Sequence, residues 1–225
     1  MARKPKRRAY DSSSRQEGAR ATRRTILSVA RKLFLQQGYA ATTMPDIARS
    51  AEVALDTVYA VVGKKPALFR LLVETAISGE DEAITAEERD YVQAIRAEPD
   101  AVNKLRIYAG ALCKIHPRLA PLVTALQAAA RLDPDLKLLW HEISERRATN
   151  MRLFAENLAL SGSLRAELSI PAAADIIWSL GSPEYYVLLV ESRGWPLAEF
   201  ERWLADAWTR LLLTPRWANG PPTIL

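Results

Sequence analysis

The sequence predicts an all-α protein, with a small N-terminal three-helix unit followed by a larger helical domain. Three observations carry that reading. Ala, Leu, Arg and Glu are abundant among the 225 residues. No segment dominated by Val, Ile and Thr alternates with period two. Apolar residues fall instead into stripes at three- and four-residue spacing, and they make up 49% of the chain, enough for a genuine core.

The elements follow in order. Residues 1–20 are polar and rich in Arg and Lys, lack aliphatic periodicity, and are predicted to form a disordered basic arm. Ile26, Leu27, Ala30, Leu33 and Phe34 then recur at helical spacing, and Gly38 supplies a stop. Thr43, with Pro45 and Asp46 behind it, has the chemistry of a helix N-terminus, where the first N–H groups lack partners. The short helix it opens closes near Ala51. Glu52-Val53-Ala54 makes a tight connection, with Val53 expected as its buried residue. Leu55 to Val61 forms the next helix, ended by Gly63, and Pro66 suits the start of another. Two short helices joined by such a turn make a helix-turn-helix, whose second helix enters the DNA major groove.

Gly38-Tyr39, Thr42-Thr43, Ile47-Ala48, Val53, Thr57-Val58-Tyr59, Gly63, Lys65 and Ala67-Leu68 together resemble the DNA-binding domain of the tetracycline-repressor (TetR) family. The resemblance implies an N-terminal helix-turn-helix domain at 21–65 and a helical ligand-binding and dimerisation domain at 66–225. It also implies a cytoplasmic transcriptional regulator, a repressor by analogy, that binds palindromic double-stranded DNA as a homodimer and answers to an unidentified small molecule. The implied DNA contacts are Thr43, Leu55, Asp56, Thr57, Tyr59, Lys64 and Lys65, with Arg3, Lys4, Lys6, Arg7 and Arg8 of the arm. Two departures stand out. Ala54 occupies the cap position where the family usually has Ser, at a cost of about 1 kcal/mol. Ala60, Val61 and Val62 replace polar or aromatic residues, so Asp56 is the only charge on the reading helix. A small-molecule-binding helical protein on the same scaffold, without specific DNA binding, is therefore the competing expectation.

Charge supports a polyanion partner. Residues 1–65 hold fourteen Lys and Arg against five acids, a balance of +9, so the remainder must carry −4 to give the total of +5. The arm reads either as a tracker of phosphates or minor groove, or as a solvated extension. No apolar segment follows these charges and no apolar run of about 18 residues occurs, so neither secretion nor a membrane helix is expected. The single Cys excludes an internal disulfide.

In the larger domain helices are expected at 66–78, 86–97, 100–115, 118–131, 135–160, 172–193 and 197–213. Breaks are expected at Gly79, Pro99, Pro117, Asp133-Pro134, 161–163 and 194–196, and a kink or split at Pro183. Leu197, Phe200, Leu204, Trp208 and Leu211 form one late stripe; Ile176, Ile177, Leu180, Val187 and Leu188 form another. Trp203 and Leu212-Leu213 lie off the first stripe, and a helix apolar on two sides needs two partners. Ile177, Val187, Leu188, Phe200, Trp203, Leu204, Trp208 and Leu211 are accordingly the expected homodimer interface.

Arg147 sits inside the apolar stripe of 135–160. It either marks a pocket for a ligand with an acidic or polar group, or snorkels or pairs with an acid of a neighbouring helix. The candidate pocket is Tyr108, Trp140, Arg147, Asn150, Met151, Phe154, Trp178 and Tyr185. Cys113 and His116 share a helix face, but no third ligand accompanies them, so no metal is expected. No cofactor motif and no enzyme constellation emerges; the Gly63-Lys64-Lys65 run lacks the upstream Gly and following Ser/Thr of a phosphate loop.

Overall fold

The computed structural model describes residues 12–79, 84–131 and 133–215. Among these residues the elements are α1 (Ser12–Ala41), α2 (Met44–Ser50), α3 (Leu55–Val62), α4 (Lys65–Ser78), α5 (Asp90–Ala97), α6 (Ala101–Ala130), α7 (Pro134–Ala159), α8 (Ile170–Leu180), α9 (Pro183–Tyr186), which runs on as a π-helix over Val187–Ser192, and α10 (Leu197–Leu212). The one β pairing among them is an isolated antiparallel bridge between Leu164 and Leu213. The chain divides into two compact units at Leu68/Phe69, within α4 rather than just before it.

In the first unit, Ile26, Leu27, Ala30 and Phe34 form the buried face of α1. Gly38, at φ 83°, breaks the helical path, and Tyr39 returns to stack on Phe34 with ring centroids 5.3 Å apart. Only a residue without Cβ turns there cheaply. α1 also corrects the expected disorder of residues 12–20, because the helix already begins at Ser12; the rest of the expected arm lies outside the described residues. Gln16, Glu17, Ala19, Arg20 and Ala21 are good helix formers. They extend a helix that the packed Ile26–Phe34 face has nucleated. Arg3, Lys4, Lys6, Arg7 and Arg8 lie outside the described residues.

α2 opens with a complete capping box. The Thr43 hydroxyl accepts from the Asp46 N–H at 3.2 Å, and the Asp46 carboxylate accepts from the Thr43 N–H at 3.1 Å. At the turn, Ala51 rather than Val53 is the buried residue, with Val53 half-buried. Ala51 still lies on the inner face of α2, four residues after Ile47, and the chain reverses only at Glu52, whose φ is 56°.

Several expectations for the second unit are corrected. α5 starts at Asp90, not at 86. The Thr85 N–H and hydroxyl both donate to the Glu88 carboxylate, at 3.0 and 2.9 Å, holding 85–88 in a local turn. Pro117 does not break the chain: α6 runs unbroken through Pro117 and Pro121. Each proline removes a helical hydrogen bond, at about 3 kcal/mol in an isolated helix. The flanking residues Leu105, Ala109 and Leu112 before Pro117, and Ala120, Leu122 and Leu126 after it, are all buried, so packing holds both halves on one axis. The split at Pro183 does occur. α8 ends on Gly181 and α9 restarts with Pro183 in its first turn.

The core of this unit joins α6, α7, α8 and α10 around Tyr108, Leu158, Ile177, Phe200, Leu204 and Trp208. Ile177, Phe200, Leu204 and Trp208 are wholly inaccessible, so the expected interface loses them to the chain's own interior. The stripe of α10 ends at Leu212, four residues after Trp208, while Leu211 points outward and is 46% exposed. Leu188 is 57% exposed, and Val187 and Trp203 are half-buried.

Candidate nucleic-acid interface and internal cavity

α3 buries Val58 and Val62 and presents Asp56, Tyr59 and Ala60 to solvent, with Leu55 and Thr57 half-buried. Its N-cap residue, Ala54, makes no side-chain cap bond; its C-cap, Gly63, has φ 71° and donates its N–H to the Tyr59 carbonyl at 3.0 Å. Lys64 is exposed just beyond. The Lys65 ammonium lies 4.1 Å from the Tyr39 ring centroid, a cation–π contact that orients it. The Thr43 hydroxyl is committed to the α2 cap, 2.5 Å from Asp46. Those bonds from Thr43, ahead of the Arg49 charge, hold the Asp46 carboxyl below its ordinary pKa.

The second unit contains a cavity of about 250 Å³ beside α5, α6 and α7. Its walls are chiefly apolar, including Ile95, Leu112, Ile115, Leu119 and Phe154, with Arg89, His116, Arg147, Asn150 and Asn157 among its polar members. A neighbouring cavity of about 450 Å³ shares Arg89, Arg147, Asn150 and Pro183. The Arg147 guanidinium stacks 5.0 Å from the Trp178 ring centroid and donates to the Trp178 carbonyl. Burial lowers its pKa from the ordinary arginine value, opposed by Tyr108 and Glu184. Tyr108 donates its hydroxyl to the Met151 sulfur at 3.3 Å, and burial raises its pKa.

His116 is 1% exposed, and neither ring nitrogen has a hydrogen-bond partner. Burial, and then the positive charge of Arg147, push its pKa down to about 3, so the ring is neutral. The Gly181 backbone opposes this shift without reaching hydrogen-bond geometry. Cys113 turns elsewhere: its Sγ meets the Leu197 carbonyl at 3.7 Å, and burial pushes the thiol up to about 11. Among the described residues no group of three or more His, Cys, Asp or Glu is placed to hold a metal ion. Nor is any helix there long and apolar enough to cross a membrane.

Residues 26–72, the stretch that folds into this capped helix-turn-helix, match the family described as "Bacterial regulatory proteins, tetR family". The N-terminal domain is a TetR-family domain. Most of the chain also shares its fold with solved proteins, a TetR-family regulator among them. It is similar to the fatty acid degradation regulator FadR from Bacillus halodurans (18% identity, 83% of this chain and 94% of that one, TM-score 0.65). It is similar to SmeT in complex with triclosan (16% identity, 91% and 97%, TM-score 0.67). It is also similar to the TetR-family regulator PfmR from Thermus thermophilus (22% identity, 82% and 97%, TM-score 0.57). A sequence search of curated proteins found no match.

The TetR-type domain thus has its reading helix in place, and in the other unit the candidate pocket residues divide. Tyr108, Arg147, Asn150, Met151 and Phe154 surround the smaller cavity, whereas Trp140 lines only the larger. Trp178 and Tyr185 line neither: Trp178 is the plate on which Arg147 rests, and Tyr185 stacks on Trp203 at 5.9 Å. Arg147 has no ion-pair partner among the described residues; it binds a main-chain carbonyl instead of an acid. Sequence reasoning does not assign Arg89, His116 or Asn157 to the pocket, weighing His116 only as a metal ligand beside Cys113. A signal for His116 does exist. Tyr108, Leu112, Ile115, His116 and Leu119 fall on one face once the helix is allowed to pass Pro117.

Proposed function

We propose that this protein is a dimeric, non-enzymatic transcriptional regulator that binds a near-palindromic operator and releases it when a small molecule occupies the cavity of the larger domain. The observation that carries the reading is the helix-turn-helix with α3 exposed, in a chain whose second unit holds a half-open, partly polar cavity. The fold neighbour solved with triclosan supports a small-molecule effector. Leu188, Leu211, Val187 and Trp203 remain accessible on the C-terminal helices and supply the apolar surface of the dimer.

Lys64, Tyr59 and Thr57 position α3, and base discrimination rests on few side chains. The basic sequence before Ile26 contributes phosphate contacts. Repression follows if the bound dimer blocks transcription. Release follows if effector binding favours a dimer whose reading helices no longer match successive major grooves.

A specific observation favours the competing reading of a ligand-binding protein without specific DNA binding: α3 carries Asp56 as its only charge and lacks a side-chain cap. Titration of the full chain against its own upstream DNA, with scrambled DNA as competitor, separates the two. The regulator reading expects a protected two-fold symmetric site. Sequence-blind binding at every salt concentration overturns it in favour of the alternative.

A further inference from the structure

The cavity's hydrogen-bonding groups are unbalanced toward donation. Arg147 spends one N–H on the Trp178 carbonyl and faces no carboxylate within ion-pair distance among the described residues. Its nearest acidic influence, Glu184, already accepts from Gln127. Arg89 reaches the Tyr91 hydroxyl at 3.5 Å and keeps a buried Nε without a partner. The Asn157 carbonyl oxygen is taken by the ammonium of Lys104, itself only 5% exposed, so the amide NH2 is what Asn157 has left to offer a guest. His116 is 1% exposed and neutral, and neither ring nitrogen completes a hydrogen bond, although the Gly181 backbone lies near enough to oppose its pKa shift; the ring brings one donor N–H and one acceptor nitrogen. Glu87 is the single acid among the lining residues, and it is exposed. Unmet donors beside apolar walls are costly until an acceptor enters.

Building on the regulator reading, we propose that the effector is a small organic carboxylate whose head lies against Arg147 and His116 and whose apolar body packs on Leu112, Ile115, Met151 and Phe154. Stacking on Trp178 holds the Arg147 plane, and a held guanidinium presents a fork that matches a carboxylate. His116 and Asn157 complete the acceptor's surroundings. A cation of the same shape meets three lining arginines, Arg89, Arg96 and Arg147, and no buried acid. A neutral amide brings its own donors to a site already full of them.

The test uses the full chain, without DNA, in titration calorimetry. Octanoate, cyclohexanecarboxylate and phenylacetate are each compared with the matching primary amide and amine. At least one carboxylate is expected to bind about 10- to 100-fold more tightly than both counterparts, the range of a charge-assisted hydrogen bond. Arg147→Gln should bring that carboxylate down to the level of its amide, and Arg147→Lys should recover part of the preference. Thermal melts establish that both variants are folded; if the Gln variant is not, Arg147→Lys and His116→Gln carry the comparison. The proposal is overturned if no carboxylate outperforms its amide and amine at millimolar concentration, or if the preference survives Arg147→Gln. Such a failure leaves the regulator reading standing. Carboxylate binding with no effect on operator binding would do the reverse.

Discussion

Arg147 and Trp178 clasp one another across α7 and α8: the guanidinium lies 5.0 Å from the indole centroid and donates to the carbonyl of the same residue. The ring holds the charge in place from one side, and the carbonyl takes one of its five N–H groups. The charge itself is not cancelled. A cation held but not neutralised at a cavity wall is what a binding site for an anion requires.

Replacing Trp178 with Leu should therefore loosen Arg147 while leaving it in place. The expected cost in stability is about 1 kcal/mol, the range of a partly desolvated cation–π pair. Carboxylate affinity should fall by more than amide affinity does. Urea unfolding and calorimetry on the same variant check both, and equal losses for both ligands would make Trp178 a packing residue alone.

His116 predicts acid sensitivity. Its folded pKa of about 3 lies below the ordinary 6.5, so between those values the unfolded chain binds the proton that the folded chain refuses. The contribution of the neutral, buried ring is full above pH 6.5 and is lost as the pH falls toward 3, with a ceiling of about 4–5 kcal/mol from the size of the shift. The charged neighbour that enforces this is Arg147. His116→Gln, polar but not titrating, should flatten stability between pH 6.5 and 4 relative to the parent in chemical denaturation.

The two caps of the helix-turn-helix differ, and the difference is measurable. Thr43→Ala should cost about 1–2 kcal/mol because it dismantles a reciprocal pair of bonds, whereas Ala54→Ser should add about 0.5–1 kcal/mol by capping α3. Hydrogen exchange of α2 and α3 amides reads both. An Ala54→Ser variant no more protected than the parent would show that the α3 N-terminus already has another source of order.

Gly181 sits at a tight junction of the second unit. A Cβ there would lie 3.0 Å from Leu112 of α6, from Trp208 of α10 and from the Ile177 carbonyl of α8. Gly181→Ala should destabilise by about 1–3 kcal/mol, as small additions to packed cores do. Thermal unfolding checks it; an unchanged midpoint would mean that the junction of the three helices is more compliant than its geometry.

What is legible in the sequence is local. Thr43, Asp46, Ala54 and Gly63 act within one helical turn of themselves, and the boundaries of α2 and α3 follow from them. Pro117 illustrates the opposite case. Its effect depends on whether both flanking halves have something to pack against, which no window of sequence reveals, and reading it as a break hides His116 as well. The late stripes are visible as apolar, but which side meets the chain's own core is not. Ile177, Phe200, Leu204 and Trp208 go inward and leave Leu188 and Leu211 outside. For Arg147, an acid is the obvious partner to expect, whereas a main-chain carbonyl leaves no trace in residue identity.

The early start of α1 has a mechanical consequence at Ser12. From Ser12 to Ile26, where burial begins, the helix spans about 20 Å, so Ser12, the attachment point at this end, stands at the tip of a rod. A rod has a phase. Inserting or deleting one residue between 12 and 25 would swing that attachment point by about 100° around the helix axis, whereas the same change in a coil would only alter its reach slightly. Linker length and rotational setting are therefore coupled at this end of the molecule, and single-residue insertions there should affect DNA affinity periodically and not monotonically.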